Sequence, residues 1–595
     1  MTAASPGAAA GRAPGGDGSC RTPFGNGQHD RTVTHPTAPP ARAATTDEVV
    51  TVYPARAVLT MDRQAPRAAA VAVAGERIFA VGSLDGIVDG LTLAGRDHVV
   101  DHRFADHVLM PGFIEPHCHA MNVGLFWQYH YVGAVPMRRP DGSLAEGMAT
   151  REAVLASLAA AAKADPSSEP LIAWGYDPAL LEGSLPLDRS DLDAVSGIRP
   201  VVVLNMSGHI AYVNSVVLDG VGYDEATTVP GVRRGPDGAL TGEVQELAAL
   251  MPITSTYVVP DDALMTKAMW DVARVAQRVG CTTITDLAAG TLAGGVGVMQ
   301  AVGADHHYPV RVSAYVLHEV VESMGVDALR ALQDHDTEYF RVAGVKFVLD
   351  GSIQGYTANL KWPYYYDGHP NGRSTITTDD LEAQLRGLAQ AGIQCALHAN
   401  GDAASQQVID AVDGVVAALP GRDHRFRMEH CQMVTDDQLA EMARLRIAAN
   451  IFVNHLYYWG DFHARRTLGP DRVRHMNPLA GAQRHGVRFS LHSDSWVTPI
   501  DPLHMVWTAA ARKTSSGAVL GPDECITVTD ALRAVTADAA FLLREETEKG
   551  SIEVGKLADL VVLSEEPSDD DVDALLGIEV VATVLAGRVV EVGSF

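Results

Sequence analysis

The sequence lacks any uninterrupted apolar run long enough to cross a bilayer, although 47% of its 595 residues are hydrophobic. Basic residues are also scarce, with 46 lysines and arginines against 73 aspartates and glutamates, which gives a net charge of −27. Because such a charge repels polyanions, the composition argues against binding to nucleic acid or to an anionic membrane surface. These absences predict a water-soluble protein that binds neither.

Cysteine is sparse and irregularly placed. The six cysteines are Cys20, Cys118, Cys281, Cys395, Cys431 and Cys525. They lack the paired spacing of zinc sites and the density of a disulfide scaffold. The first forty-odd residues are rich in Ala, Gly, Pro and Thr and lack the apolar stretch of an export signal. We therefore expect a cytoplasmic protein with a disordered tail over residues 1–45.

Short β-like runs separated by Gly and Asp lie near both ends of the sequence. They occupy residues 49–109 and return near the C-terminus as ADLVVLS and EVVATVLAGRVVEVG. Two distant segments of similar character predict one small composite β-sandwich domain, built from residues 46–107 and 548–595.

The middle of the sequence alternates apolar, β-branched runs with helix-like stretches such as TTDDLEAQLRGLAQAG and TDDQLAEMARL. The runs are 108–116, 280–286, 310–317, 343–349, 393–398, 425–430, 447–453 and 487–492. Eight strand–helix units predict an α/β fold, a (β/α)8 TIM barrel over residues 108–547. Residues of about 125–275 carry strands of their own, LIAWGYD and RPVVVLNMS. They predict an inserted subdomain over the barrel mouth, after the first barrel strand.

Histidine, lysine and aspartate stand at the ends of these runs, on the face where barrel enzymes carry their reactive groups. The first run ends in FIEPHCHA, so His117 and His119, two positions apart, point the same way. The other candidates are Lys346 in AGVKFVLDGS, His398 in CALHANGD, His430 in FRMEHCQ and Asp494 in FSLHSDS. This set fits Zn²⁺ or a similar divalent ion.

Each candidate ligand has a plainer alternative. The 23 histidines produce about one His-x-His pair by chance, and a single strand histidine is commonly a hydrogen-bonded core residue. Burial of an unpaired ammonium is costly, so Lys346 is either an edge residue or neutralised within the site. Convergence of ligand types at five strand ends favours the metal site.

Several segments together resemble the amidohydrolase superfamily. The resemblance rests on MPGFIEPHCHA, the lysine strand, the two single-histidine strands, the Asp494 strand and GSIEVGKLADLVVLS. Six segments resemble the YtcJ-like branch more narrowly: SGHIAYVNS, TGEVQELA, VKFVLDGSIQGYTANL, LHANGDAA, MEHCQM and HSDSWVTPIDPL. The resemblance, from about Val49 to Val592, implies a centre with one or two Zn²⁺-type ions and a homodimer. It also implies that Lys346 is carbamylated by CO2 and bridges two ions.

The ligand set and the resemblance lead to a mechanistic hypothesis. The activity implied is hydrolysis of a C–N bond in a non-peptide small-molecule amide, formamide, carbamate or cyclic amide. A bound ion lowers the pKa of a water molecule and polarises the scissile carbonyl. Asp494 would accept the proton of that water and pass it to the leaving nitrogen.

Residues near the strand ends are candidates for substrate contact, each with a packing role as its alternative. The candidates are His209, Asn214, Gln354, Thr357, His455, Trp174 and Tyr176. His492, two positions before Asp494, is predicted either to support a metal ligand or to pack in the core. Aromatic residues near the mouth fit an apolar or aromatic small-molecule substrate, and they fit packing of a lid equally well.

Two other functions remain open at this point. The same barrel and metal centre are compatible with deamination, decarboxylation or retro-aldol cleavage. A non-catalytic binding or regulatory module is the third reading, and the intact ligand set argues against it. Release of ammonia or CO2, or absence of any turnover, separates these alternatives from amide hydrolysis.

Overall fold

The eight apolar runs form eight parallel strands of one sheet in the computed structural model, which describes residues 48–165, 167–181 and 185–592. Each strand pairs with the next along the chain. Barrel strands one to eight are Phe113–Ile114, Cys281–Ala289, Arg311–Leu317, Phe340–Val348, Gln394–Ala399, Arg427–His430, Ala448–Ile451 and Phe489–Leu491. The tail predicted for residues 1–45, like Cys20, lies outside the described residues.

The ends of the first and eighth strands are joined by backbone hydrogen bonds. The N–H of Asp494 donates to the carbonyl of His117 at 3.1 Å, and the N–H of His119 donates to the carbonyl of Ser495 at 2.8 Å. The fold is therefore TIM-barrel-like. Because all eight strands are parallel, their carboxyl ends, which carry the predicted ligands, lie at one edge.

The first barrel strand is much shorter than the predicted run 108–116, which was wrong in its extent. Residues Val108–Pro111 pair antiparallel with Leu560–Leu563 in a different sheet, and only Phe113–Ile114 belongs to the barrel. Gly112 divides the two segments, and its N–H donates to the carbonyl of Asp559 at 2.9 Å. A Cβ at this glycine would lie 2.2 Å from the Thr282 side chain, so the close approach requires glycine.

Helices follow the barrel strands and begin at side-chain caps that the sequence announces. Thr377 accepts from the N–H of Asp380, and Thr435 forms a capping box with Gln438. The helices of this part are Asp262–Arg278, Gly295–Val302, His318–Met324, Val326–Gln333, Thr378–Ala391, Asp402–Ala418, Asp436–Leu445, Asn454–Phe462, Gly469–Arg472, Leu479–His485, Pro502–Ala511, Val528–Ala534 and Ala537–Leu542. No helix among the described residues is both long and apolar enough to span a membrane.

A second eight-stranded sheet takes strands from both ends of the chain. Its strands are Val50–Leu59, Arg67–Ala74, Arg77–Gly82, His98–Val100, Val108–Pro111, Leu560–Leu563, Val580–Leu585 and Arg588–Glu591. One helix, Leu84–Leu93, packs against it. The β-like runs at the two ends of the sequence thus pair with each other.

The residues between barrel strands one and two form a six-stranded sheet with its own helices. The strands are His130–Tyr131, Leu171–Tyr176, Val201–Asn205, Ile210–Val213, Val232–Arg234 and Leu240–Gln245, beside a separate pair Met137–Arg138 and Leu144–Ala145. The helices are Ala120–Phe126, Arg151–Ala164, Arg189–Val195, Ser215–Val221 and Glu246–Tyr257. Its apolar core includes Phe452, Trp459 and Val497, so this sheet packs against loops at the carboxyl edge of the barrel.

Gly124 allows helix Ala120–Phe126 to approach helix Asp262–Arg278 closely. A Cβ at Gly124 would lie 1.9 Å from the backbone oxygen of Ala268. Gly124→Ala is expected to lower the free energy of unfolding by about 1–3 kcal/mol, because a backbone atom cannot move aside cheaply. Gly387→Ala is the matched control: its Cβ would meet nothing within 4 Å in helix Thr378–Ala391. Thermal melting should separate the two, and equal melting temperatures would contradict the packing argument.

Candidate metal centre and cavity

His117 is held at the end of barrel strand one by a buried carboxylate. Its Nδ1 lies 2.5 Å from Glu429 Oε2, and Glu429 Oε1 in turn lies 2.8 Å from Arg427 Nε. Burial raises the pKa of Glu429, but the charges of Arg427 and His117 outweigh burial and lower the pKa to about 2. An ionised carboxylate only accepts, so Nδ1 of His117 carries a proton, and Nε2 faces the site.

Asp494 stands among three histidines. Its Oδ1 lies 3.3 Å from His117 Nε2 and 3.2 Å from His119 Nε2, and its Oδ2 lies 3.7 Å from His430 Nδ1. Burial raises the pKa of this carboxyl, but His117 and the other histidines outweigh burial and hold the pKa well below its usual range. Asp494 is therefore an anionic acceptor facing several imidazole nitrogens.

Lys346 points from barrel strand four into the same cluster. Its side chain is buried, and Nζ lies 3.3 Å from His117 Nε2. Burial lowers the pKa of Lys346 to about 8, against the opposing charges of Glu429 and Asp494. A substantial fraction of this amine is therefore neutral near pH 7.5, and a neutral amine is a nucleophile.

His398 and His430 form the other half of the cluster. His430 Nε2 lies 2.9 Å from His398 Nδ1, and burial holds the pKa of both rings well below the ordinary value. Two sets of three donor atoms lie within 4.8 Å of one another. These sets are His117, His119 and Asp494, and His117, His430 and His492. The structure thus brings together all six predicted ligands.

His492 stacks on His117, with ring centroids 4.5 Å apart and planes 15° apart. It is buried, and neither of its ring nitrogens has a hydrogen-bond partner within the part of the chain that the structure describes. His492 therefore contacts the candidate ligand His117 by ring stacking and not by a hydrogen bond.

Two further carboxylates hold the loops around the cluster. Glu115 accepts from the N–H groups of His117 and Ser493, and burial raises its pKa to about 8. Asp350 accepts from the N–H groups of Asn400 and Gly401, which fixes the loop after strand four against the loop after strand five. Both carboxylates fix backbone positions beside the cluster.

The insertion contributes His209 to the edge of the cluster. The His209 ring lies edge-on to His398 at 5.7 Å, and its Nδ1 lies 3.0 Å from Glu246 Oε2. Burial lowers the pKa of His209, but the Glu246 carboxylate outweighs burial and the net pKa is raised. The two side chains therefore form a partly buried histidine–carboxylate contact between insertion elements.

A cavity of about 1620 Å³ opens between the insertion and the barrel loops. Aromatic side chains that line it are Tyr212, Tyr356, Tyr457, Tyr458 and Phe462. Gly351 also lines it, and the Gly351 carbonyl lies 3.3 Å from His398 Nε2. The six candidate ligands are not among the lining residues, so Gly351 connects the cavity to His398 indirectly.

Two of the predicted substrate contacts, Gln354 and Thr357, line this cavity. His455 lies behind Gln354, with Nε2 3.0 Å from Gln354 Oε1. Their placement agrees with contact to a molecule bound in the cavity, directly for Gln354 and Thr357 and indirectly for His455.

Three other predicted contacts have structural roles instead. Asn214 caps helix Ser215–Val221, and its amide donates to the carbonyls of Ser196 and Arg199. Trp174 packs against Phe126, Trp127 and Tyr131, and the Tyr176 hydroxyl donates to the carbonyl of Leu185. Gly175, at φ +101°, interrupts the strand between Trp174 and Tyr176, which therefore enter different apolar clusters.

Comparison with known proteins shows the family of this protein. A model of the amidohydrolase family matches residues 105–591. The chain belongs to the amidohydrolase family. The predicted resemblance to the YtcJ-like branch is confirmed, because the YtcJ protein of Bacillus subtilis is 27% identical over 539 residues, 87% of this chain and 96% of that protein.

Another relative of this amidohydrolase is the N-substituted formamide deformylase of Arthrobacter pascens, 26% identical over 544 residues, 89% of this chain and 96% of that protein. Among solved structures, an uncharacterized metal-dependent hydrolase from Pyrococcus horikoshii superposes with a TM-score of 0.66 at 19% identity. That likeness covers 87% of this chain and 98% of the other, and it shows the amidohydrolase fold.

Sequence reasoning missed the carboxylates that orient the ligands. They are Glu115, Glu246, Asp350 and Glu429, with Arg427 as the partner of Glu429. A signal existed for the last pair, because FRMEH places an arginine and a glutamate two positions apart, on one face, in a buried strand. Such a pair is costly to bury unless it serves a site.

Proposed function

We propose that this amidohydrolase cleaves a C–N bond in a non-peptide small molecule, an amide, formamide, carbamate or cyclic amide, with one or two divalent ions such as Zn²⁺. The observation that carries the proposal is the convergence of His117, His119 and Asp494: Asp494 Oδ1 lies 3.3 Å from His117 Nε2 and 3.2 Å from His119 Nε2, and the three donor atoms lie within 4.8 Å of one another. Ligand atoms around a tetrahedral zinc ion, at about 2.0–2.1 Å from the metal, are about 3.3 Å from one another. The residues therefore fit an ion.

The donor set also matches the chemistry of such an ion. Imidazole and carboxylate are zinc ligands, and Glu429 leaves Nε2 of His117 facing inward. We propose His117, His119 and Asp494 as ligands of one ion and His398 and His430 as ligands of a second. The partly neutral amine of Lys346 favours reaction with CO2, and the resulting carbamate would supply an anionic oxygen ligand beside His117.

A divalent ion held there lowers the pKa of a bound water molecule and polarises a carbonyl group. The Asp494 carboxylate, anionic and next to three imidazoles, takes the proton of the attacking water and delivers it to the leaving nitrogen. Glu429 and Arg427 hold His117 in one orientation during this transfer.

The cavity favours an apolar or aromatic group on the substrate. Five aromatic side chains line it, among them Tyr457 and Tyr458. The Arthrobacter pascens relative is named for removing the formyl group from N-substituted formamides, which supports a small amide with a bulky nitrogen substituent.

We also propose a division of the chain into domains. Residues 46–107 and 548–595 form a composite β domain, and residues 108–547 form the barrel, with the insertion over about 125–275. The antiparallel pairing of Val108–Pro111 with Leu560–Leu563 supports moving the first of these boundaries from residue 107 to about residue 112.

Metal content and amine release test the proposed function together. Protein purified without chelator should contain one or two divalent ions per chain by elemental analysis. It should release aniline from formanilide or from an N-phenylcarbamate, and it should open an aromatic cyclic amide to the corresponding amino acid. A chelator should abolish release and the added ion should restore it, since the ion activates the water. Release of ammonia or CO2 without amide hydrolysis would favour a different reaction at this centre. No turnover by fully metallated protein would favour a binding module.

A further inference from the structure

A buried chain of hydrogen bonds leads from the interior to Gln354 at the cavity wall. Thr467 Oγ1 lies 2.6 Å from His463 Nδ1, His463 Nε2 lies 2.9 Å from His455 Nδ1, and His455 Nε2 lies 3.0 Å from Gln354 Oε1. His455, His463 and Thr467 are at most 1% exposed. Residues His463–Thr467 form a π-helical turn, a rare geometry that is frequent at functional sites.

Both histidines of this hydrogen-bond chain, His455 and His463, are neutral at neutral pH. Burial lowers the pKa of His463 to about 3 and holds the pKa of His455 well below its ordinary value. A neutral imidazole has one donor and one acceptor nitrogen. Thr467 therefore donates to His463, His463 donates to His455, and His455 donates to Gln354 Oε1. With Gln354 Oε1 as the last acceptor, all three hydrogen bonds run in one direction, from Thr467 to Gln354.

This direction leaves the amide NH2 of Gln354 as the free end. Gln354 lines the cavity, and its Nε2 donates to no acceptor within the described part of the protein. We propose that Thr467, His463 and His455 fix the Gln354 side chain so that its NH2 group donates to the carbonyl oxygen of the substrate. The inference rests on the proposed function and names one donor for that reaction.

The position of Gln354 agrees with that role. Gln354 lies three residues after Gly351, whose carbonyl contacts His398. His455 packs edge-on to Phe452 at 5.1 Å, and Phe452 stacks on His492 at 4.9 Å. Gln354 thus lines the aromatic cavity and is linked to the ligand cluster through His455, Phe452 and His492. Thr467 and the two histidines act through Gln354 and are positioning residues.

Gln354→Glu tests the donor alone. A glutamate still accepts from His455 and preserves the buried chain, but its second oxygen cannot donate. In metal-loaded enzyme, kcat/KM for formanilide should fall by about 10²-fold, as for loss of one preorganised donor. The Kd of benzohydroxamate, whose carbonyl oxygen accepts the same hydrogen bond, should rise as well. Equal kcat/KM and Kd in the variant and the wild type would overturn the proposal.

Substitutions of Thr467 test the hydrogen-bond chain at its far end from Gln354. Thr467→Val removes the hydroxyl and should lower kcat/KM about five- to tenfold, the effect of one net hydrogen bond. Thr467→Ser keeps the hydroxyl but loses the methyl group, so it should retain nearly full activity. If Thr467 only packs, kcat/KM should fall further in Thr467→Ser than in Thr467→Val. That result would refute the positioning role of the hydrogen-bond chain.

The binding measurement separates this inference from the proposed function. Wild-type protein that binds benzohydroxamate more tightly than Gln354→Glu, yet hydrolyses none of the amides, would refute the hydrolase assignment and support the donor. Amide hydrolysis that Gln354→Glu leaves unchanged would support the hydrolase and refute the donor.

Discussion

Asp494→Asn is expected to lower kcat for amide hydrolysis on the order of 10³-fold while the protein retains its bound ion. Asparagine keeps an oxygen at the position that lies 3.2 Å from His119 Nε2 and 3.3 Å from His117 Nε2. It has no ionisable oxygen, so it cannot take a proton from water or give one to the leaving nitrogen. A variant that keeps its metal content but loses kcat would therefore indicate a role of Asp494 in proton transfer.

Asp501→Asn is the matched control for that substitution. Asp501 follows the same strand eight and caps helix Pro502–Ala511 by accepting from the N–H of His504. Asparagine caps helices about as well as aspartate, so activity and melting temperature should stay near those of the wild type. Elemental analysis and steady-state kinetics on both variants make the comparison. An Asp494→Asn enzyme within tenfold of the wild type, with full metal content, would exclude Asp494 as the proton carrier.

The sequence predicts the barrel and its ligands because strand ends and residue type suffice for them. Parallel strands deliver their carboxyl ends to one edge, so histidines that close runs 393–398 and 425–430 must meet there. His398 and His430 do meet, at 2.9 Å. No detailed packing is needed for that inference.

Orientation at the ends of strands is not predictable from a two-residue period. Strand alternation places Glu429 and His430 on opposite faces, yet both reach the cluster. His430 has φ of +70° and Asp494 has φ of +51°, which turn these side chains away from the direction that alternation predicts. Histidine and aspartate adopt a positive φ more often than most residues, but residue type does not indicate which of them will do so.

The insertion was harder to interpret than the barrel because aromatic residues serve cores and cavities equally well. Trp174 and Tyr176 were predicted to contact substrate, and both pack in the insertion's interior. Tyr457 and Tyr458, whose role the sequence left open, line the cavity. Strand Leu171–Tyr176 is buried on both faces, so a polar side to mark the cavity does not exist in its sequence.

Lys346→Ala is expected to reduce metal content from about two ions per chain to one or none and to lower kcat/KM on the order of 10³-fold. The lysine Nζ lies 3.3 Å from His117 Nε2, and its pKa, lowered by burial to about 8, leaves a larger neutral fraction than in an exposed lysine, which can react with CO2. Alanine removes the bridge and leaves a space beside His117 that a small carboxylate can enter. Added acetate or propionate should therefore restore part of both metal content and activity.

Lys549→Ala is the control, since Lys549 is equally buried but lies 3.2 Å from Glu545. That variant should lose stability and keep its ions. Unchanged metal content in Lys346→Ala would leave a centre that does not use this lysine, and loss of metal in both variants would point to general unfolding.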